Sequence, residues 1–379
     1  MTHSQAVDAD LVSLQTRRPS ASGRLKFAAS NDFQHELRRR VDHYFSSTGR
    51  SMRDSPQMYI KTAVVLSWFA ASYVLLVFFA ATWWQAVPLA ISMGLSIAAV
   101  GFNIQHDGGH GACSRIPWIN KLMALTMDLT GASSYLWAQK HNIIHHTYAN
   151  ITDHDDDINV GLLGRLSPHQ RRLAVHSWQH YYMWVLYGFL PVKWLFFDDF
   201  WNLITGRIGE YRIPRPKNWD LLKLIAGKVL AFSLTFAVPL LFHPLWVVAV
   251  FYAANTLVLG ITLSVIFQMA HCVEEASFPM PRADTGRIET AWAVHQVQTT
   301  VDFARGNRIL TWLVGGLNFQ IEHHLFPHIC HVHYPALAGI VEQTCNEFGI
   351  RYVAQKSFFA GVASHFRWLR RMGMAVATQ

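Results

Sequence analysis

Two stretches of this chain carry no charged side chain, and each is long enough to cross a bilayer more than once. The first runs from Thr62 to Gln105 and the second from Val229 to Ala270. One helical span needs about 20 apolar residues, so each stretch predicts a pair of spans joined by a tight turn. TWWQAVP (82–88) supplies the first turn, with Trp83 and Trp84 at the membrane interface, and FHP (242–244) supplies the second. The expected fold class is an all-α integral membrane protein. Its four transmembrane helices, at about 62–82, 87–105, 222–242 and 245–269, form two hairpins.

Composition agrees. Charged residues make up 15% of the chain, against about 25% in ordinary soluble domains. The formal charge of +8 suits an anionic membrane surface, and no nucleic-acid partner is expected. Arg17, Arg18, Arg24, Lys26, Arg38, Arg39, Arg40, Arg50, Arg53 and Lys61 precede the first uncharged stretch, more cations follow in the middle segment, and the two turns carry none. The positive-inside rule then places both termini and residues 106–221 in the cytosol. The apolar runs 118–137 and 181–197 are broken by Pro, Lys or Asp and predict helices lying at the interface or packed on the bundle. Residues 32–46 have helical spacing and look interfacial as well. The first 30 residues, rich in Ser, Ala and Arg, lack the apolar core of a signal peptide. The expected organisation is a partly disordered cytosolic tail over 1–50, a membrane domain over 51–350 and a cytosolic C-terminal segment over 351–379. Cys113, Cys272, Cys330 and Cys345 show no CxxC spacing, so no disulfide framework is implied. Cys113 and Cys272 lie near His110 and His271 and are either soft ligands or small core residues.

Histidines gather where this topology can bring them together. His106 and His110 follow the second span in QHDGGHGA, four residues apart and so on one face of a continuing helix. His141, His145 and His146 come next in HNIIHH, then Gln320, His323 and His324 in NFQIEHHLFP; His271 ends the fourth span. All fall at the predicted cytosolic end. Imidazole suits Zn, Cu, Fe and Ni, and a structural zinc needs only four ligands. Eight histidines point to two metals, and two irons suit a redox task that zinc cannot perform. A ligating histidine usually gives its other N–H to a carboxylate, a role open to Asp107, Asp157 and Glu322. The run holding Asp153, Asp155, Asp156 and Asp157 reads otherwise as a solvated loop or helix cap. Asn318 and His331, beside the third group, complete the candidates for contact with the metal or its ligands. His331 is equally open to a structural hydrogen bond. His154, His169, His176, His180 and His295 read as ordinary polar residues.

The patterns H-x3-H at 106–110, H-x3-H-H at 141–146 and Q-x2-H-H at 320–324 resemble the three histidine boxes of membrane fatty acid desaturases. The likeness covers roughly 60–350. HHTYANITDHDDDI and QIEHHLFP are most similar to the front-end, acyl-lipid branch, in which Gln opens the third box. This resemblance implies a cytosolic helical cap in which His106, His110, His141, His145, His146, His323 and His324 bind two irons and Gln320 replaces a box histidine. His271 matches an extra ligand placed at the end of the last span. Related enzymes can hold a metal-bound water on an Asn four residues earlier; here that position is Phe267, with Gln268 beside it. The implied reaction is O2-dependent desaturation of a fatty acyl chain, carried as acyl-CoA or acyl-lipid in the membrane. A hydroxylase or ketolase acting on lipid or alkane shares the boxes and is the alternative. No HPGG haem-binding signature occurs, so electrons are expected from a separate ferredoxin or cytochrome b5 with its reductase. Trp137, Trp178, Trp184 and Trp312 are candidates to line an acyl tunnel. Arg165, Arg171, Arg172 and Lys193 are candidates to dock an acidic carrier, or else simply hold topology. A membrane metal transporter would place ionisable residues inside the spans, and both uncharged stretches lack Asp and Glu.

Overall fold

The computed structural model describes residues 25–29 and 32–374, so most of the expected N-terminal tail lies outside the described residues. The principal helices are α1 (Asp32–Thr48), α2 (Pro56–Phe79), α3 (Trp83–Gly109), α4 (Pro117–Ala124), α5 (Gln179–Tyr187), α6 (Asn218–Leu240), α7 (Leu245–His271), α8 (Gln320–Leu325), α9 (Tyr334–Glu347) and α10 (Phe358–Gly373). Shorter turns and three small two-stranded pairings connect them. Helices α2, α3, α6 and α7 are long and apolar enough to cross a membrane.

The spans depart from their sequence-predicted limits for local reasons. Pro56 starts α2 earlier, at a position where its missing N–H costs nothing. The first turn lies at 80–82, because TWWQ opens α3 instead of forming the turn. The Gln85 side chain accepts from the Ala81 and Thr82 N–H groups at 3.0 and 3.2 Å and so caps the new helix. At its far end α3 runs on through His106 to Gly109.

Helix α3 lies between α2 and α7. Gly94 permits the approach to α7, since a Cβ there would stand 2.9 Å from Val258. The second pair is different. Helix α6 packs on the Thr126–Leu129 turn more than on α7, with Gly227 against Asp128. Lys228, buried inside α6, reaches Asp199 at 2.6 Å and the Gly131 carbonyl at 2.7 Å. A charge inside a span is tolerated when paired in this way. The runs 118–137 and 181–197 are broken into short helices around the gap between α6 and α7.

Both ends of the described chain pack onto the body. Phe33, Leu37, Val41 and Phe45 of α1, four residues apart, are buried with Leu337, Val341 and Cys345 of α9 and with Ile321 of α8. The apolar face expected at the membrane interface is thus taken up by protein. Trp368, Leu369 and Met372 of α10 share a core with Met183 and Tyr187 of α5 and Met269 of α7. Lys26–Ala28 runs parallel to Arg287–Ala291, and Asp302–Phe303 to Ala354–Gln355.

Candidate metal centre

Two π-wound segments and the ends of regular helices deliver the histidines. Residues Gly101–Gln105 of α3 are wound as a π-turn immediately before His106. The second box is also wound as a π-helix, over Ala138–His145. Such windings concentrate at functional sites. Here the rings of His141 and His145 stack at 5.1 Å while His146 turns nearly perpendicular to each. The glycines of HDGGH allow close packing: a Cβ on Gly108 would stand 2.5 Å from Met123, and one on Gly109 would stand 2.4 Å from Trp137. Trp137 in turn stacks on His141 and sets its edge against His106 and His110. The third box is carried by α8. Gly315, at φ +62°, lets the preceding loop touch α3, where a Cβ would lie 2.1 Å from the Phe102 carbonyl.

The side chains converge. His106, His110, His141 and His323 present ring nitrogens within 4.8 Å of one another; so do His145, His271 and His324, and so do His146, His323 and His324. The His106–His141, His141–His146 and His146–His323 Nε2 atoms are 3.0–3.3 Å apart. Two nitrogens each about 2.1 Å from one ion lie about this far apart at tetrahedral angles. All eight rings are buried. Burial, joined by the neighbouring imidazoles, holds His110, His146, His323 and His324 well below the ordinary histidine range. These rings are therefore neutral, with lone pairs free. The Nε2 atoms of His110, His145 and His324 have no protein partner, which is costly for buried polar atoms unless a ligand satisfies them. An all-imidazole pocket with such orphans fits transition-metal ions.

The surrounding hydrogen bonds follow the sequence reading at Asp157 and depart from it elsewhere. Asp157 Oδ2 accepts from His141 Nδ1 at 3.2 Å. Asp155 takes the same part for His145, with both oxygens 3.0 Å from Nδ1. Burial disfavours charge on His145, but that carboxylate raises its pKa above the usual value. Gln296 Oε1 accepts from His324 Nδ1 at 2.8 Å, and the Tyr334 hydroxyl lies 3.3 Å from His323 Nδ1. Gln296 and Tyr334 belong to no motif, and Asp155 is one of four aspartates in its run, so sequence alone did not single them out. Asp107 accepts from His331 Nδ1 at 2.8 Å and makes no bond to a box histidine; Lys61 donates to the other His331 nitrogen, also at 2.8 Å. Glu322 turns away to Tyr352. Asn318 gives its amide to the Phe303 carbonyl and the Thr311 hydroxyl. Gln320 Nε2 lies 3.1 Å from His271 Nε2, and Phe267 stacks on His271. Cys113 and Cys272 are buried among apolar side chains.

A cavity of about 680 Å³ reaches His106, His141 and Gln320 at one side and is walled by Met127, Leu190, Trp194, Leu259 and Leu263. Of the four candidate tryptophans, Trp137 lines it and Trp178, Trp184 and Trp312 do not. Arg165 is buried, with its guanidinium spent on the Pro168, Gln170 and Met372 carbonyls. Arg172 bonds Gly373 and Ser177, and Lys193 pairs with Asp198.

A family model described as fatty acid desaturase matches residues 81–356. The chain is 39% identical to the sn-1 linoleoyl-lipid 6-desaturase of Arthrospira platensis over 95% of its own length and 98% of that protein. It is 36% identical to the enzyme of the same name from Synechocystis sp., over 93% of its length and 98% of that protein. It is 37% identical to the acyl-lipid (8-3)-desaturase of Physcomitrium patens, over 92% of its length and 73% of that protein. A mostly helical integral membrane protein with buried histidine clusters, this chain belongs to the fatty acid desaturase family, in its front-end, acyl-lipid branch.

Proposed function

We propose that this protein introduces a cis double bond near the carboxyl end of a fatty acyl chain esterified in a membrane lipid, using a pair of irons and O2. The convergence of the three histidine groups at the end of an apolar cavity carries the reading. His106, His110, His141 and His323 form one half of the ligand set and His145, His271 and His324 the other, with His146 between them. Iron held there supplies the activation of O2 that attack on an unactivated C–H bond demands. Per turnover, one CH2–CH2 unit, one O2, two electrons and two protons give one CH=CH unit and two waters.

The protein's own part is positioning and exclusion of water. Burial keeps the His110, His146, His323 and His324 imidazoles neutral and able to ligate. Asp155, Asp157, Gln296 and Tyr334 fix ring orientation through Nδ1, which leaves Nε2 directed inward. Trp137 braces His106, His110 and His141 beside the cavity. The apolar wall receives the alkyl chain and presents one CH2–CH2 unit to the histidines. The spans form two hairpins, the second splayed, beneath a cap of α1, α8, α9 and α10. Both termini and the metal centre face the cytosol, where a separate ferredoxin or cytochrome b5 system delivers electrons.

Expression in a host with a working electron-transfer chain, followed by mass spectrometry of its lipids, tests this. The expected product lacks two hydrogens relative to its precursor; a product gaining oxygen instead would establish a hydroxylase. His145→Ala should lose bound iron and product together, and retained turnover would contradict its assignment as a ligand.

A further inference from the structure

The metal centre is enclosed, yet each turnover needs two electrons from outside. Asp155, Gln296 and Tyr334, which bond to box histidines, are buried. His328 is exposed, and its Nδ1–H donates to the His110 carbonyl at 2.7 Å. One hydrogen bond therefore joins a solvent-facing imidazole to the residue carrying a candidate ligand ring. Two half-buried groups compete: Trp292 donates to the His146 carbonyl at 3.2 Å, and Asp157, ion-paired with Lys140, accepts from His141 Nδ1 at 3.2 Å.

Exposure and a shorter bond favour His328, and cations surround it. Arg53 Nε donates to the His328 carbonyl at 3.2 Å, and the backbone beside it is tied down by the Cys330 N–H bond to the Met52 carbonyl. Arg115, 73% exposed, bonds the Ser51 hydroxyl, and exposed Arg50 bonds Tyr44. The one carboxylate in this group, Asp54, accepts from Ser114, Tyr59 and the Arg115 N–H and lies 3.9 Å from the Arg115 guanidinium, which leaves Arg50 and Arg53 without a carboxylate partner among the described residues. Near Trp292, which opens a helix after the Arg287–Ala291 strand, Arg282 is paired with Asp284 and Glu289 while Arg287 is exposed.

We propose that Arg50, Arg53 and Arg115 form the docking surface for an acidic one-electron carrier protein, with His328 the point of electron entry towards His110. This rests on the desaturase reading. Two reduced carriers are oxidised in succession per turnover, each giving one electron, and the two protons come from solvent. The surface differs from the Arg165, Arg171, Arg172 and Lys193 group, in which backbone carbonyls hold Arg165 and Arg172, Asp198 pairs with Lys193, and Arg171 is exposed.

The test uses the full-length, iron-loaded enzyme in nanodiscs of neutral phospholipid. Its probes are an acidic [2Fe–2S] ferredoxin and the haem domain of a cytochrome b5. Wild-type binding to at least one carrier should weaken as salt rises. Arg50→Glu and Arg53→Glu, singly and together with Arg115→Gln, should weaken that binding at low salt by about tenfold or more and flatten its salt dependence. Iron content and dithionite-driven single-turnover product should stay at the wild-type level. His328→Ala should slow metal reduction at saturating carrier with little change in affinity, whereas Trp292→Phe should leave that rate unaltered. Salt-insensitive binding, or equal affinity in wild type and variants, would overturn the surface. So would variants that lose adsorption to anionic vesicles while keeping carrier affinity, which would make the patch a lipid contact. An unchanged reduction rate in His328→Ala would overturn the route. Failure of wild type to yield product with dithionite would instead count against the desaturase reading, and the carrier-binding arm would still decide the surface.

Discussion

Replacing Asp155 by Ala should separate two roles that one carboxylate performs. Its oxygens accept from His145 Nδ1 at 3.0 Å, from the Asn150 N–H at 2.9 Å and from the Asp157 N–H at 3.0 Å. The Asn150 donor is buried, so truncation leaves it unpaired at a cost of about 1–3 kcal/mol. The half-buried Asp157 N–H adds less, and the metal-free fold should lose about 2–4 kcal/mol in all. Separately, the His145 ring loses the contact that orients it. Removing such a partner typically lowers metal affinity by about 10–100-fold, or roughly 1.4–2.7 kcal/mol. Asp155→Asn distinguishes the two effects. Its carbonyl oxygen can still accept from His145, but its NH2 must then face a backbone N–H. It should recover much of the metal affinity and little of the stability. Iron competition against a chelator measures the first quantity, and thermal unfolding of the metal-free protein in detergent measures the second. Wild-type iron affinity in Asp155→Ala would refute the orienting role, and parallel recovery of both properties in Asp155→Asn would refute their separation.

Lys228→Met strands Asp199 inside the bundle and should cost about 3–5 kcal/mol in detergent unfolding, while adding Asp199→Asn should restore part of it. Gly315→Ala places a Cβ against the Phe102 carbonyl at an unfavourable φ, so it should lower the melting temperature and loosen iron together. His365 donates from Nδ1 to the Cys272 carbonyl and accepts at Nε2 from the Tyr187 hydroxyl, and burial lowers its pKa to about 4. The unfolded chain therefore binds the proton first. The stability is complete above about pH 6.5 and is lost as the pH falls towards 4, by up to about 3 kcal/mol. His365→Gln should flatten the acid limb of the stability curve, and an identical limb would refute the assignment.

Four apolar spans were legible in the sequence because a bilayer demands uninterrupted apolar length. Their ends were less so: Gln85 as a cap and Pro56 as a first-turn residue act through local bonds that hydropathy ignores. The histidines were legible through spacing, although the second box is π-wound and its ring directions do not follow from an α-helical wheel. Asp157 was legible beside its box, whereas the remaining partners follow no spacing rule. Gln296 meets His324 from another helix, and Asp107, adjacent to His106, spends its charge on His331. Lys228 was hidden differently. It lies one residue before the stretch that defined the second pair of spans, and only its ion pair with Asp199 explains its place inside one.

The divergence of α6 from α7 leaves part of the cavity wall to segments that contain no candidate ligand. Residues 126–133 and 190–199 form that part and are fastened from behind by Lys228, whereas α3, α7 and the 138–146 winding carry both lining residues and histidines. Substitutions on the ligand-free segments can therefore reshape the bore without touching an element that carries a histidine.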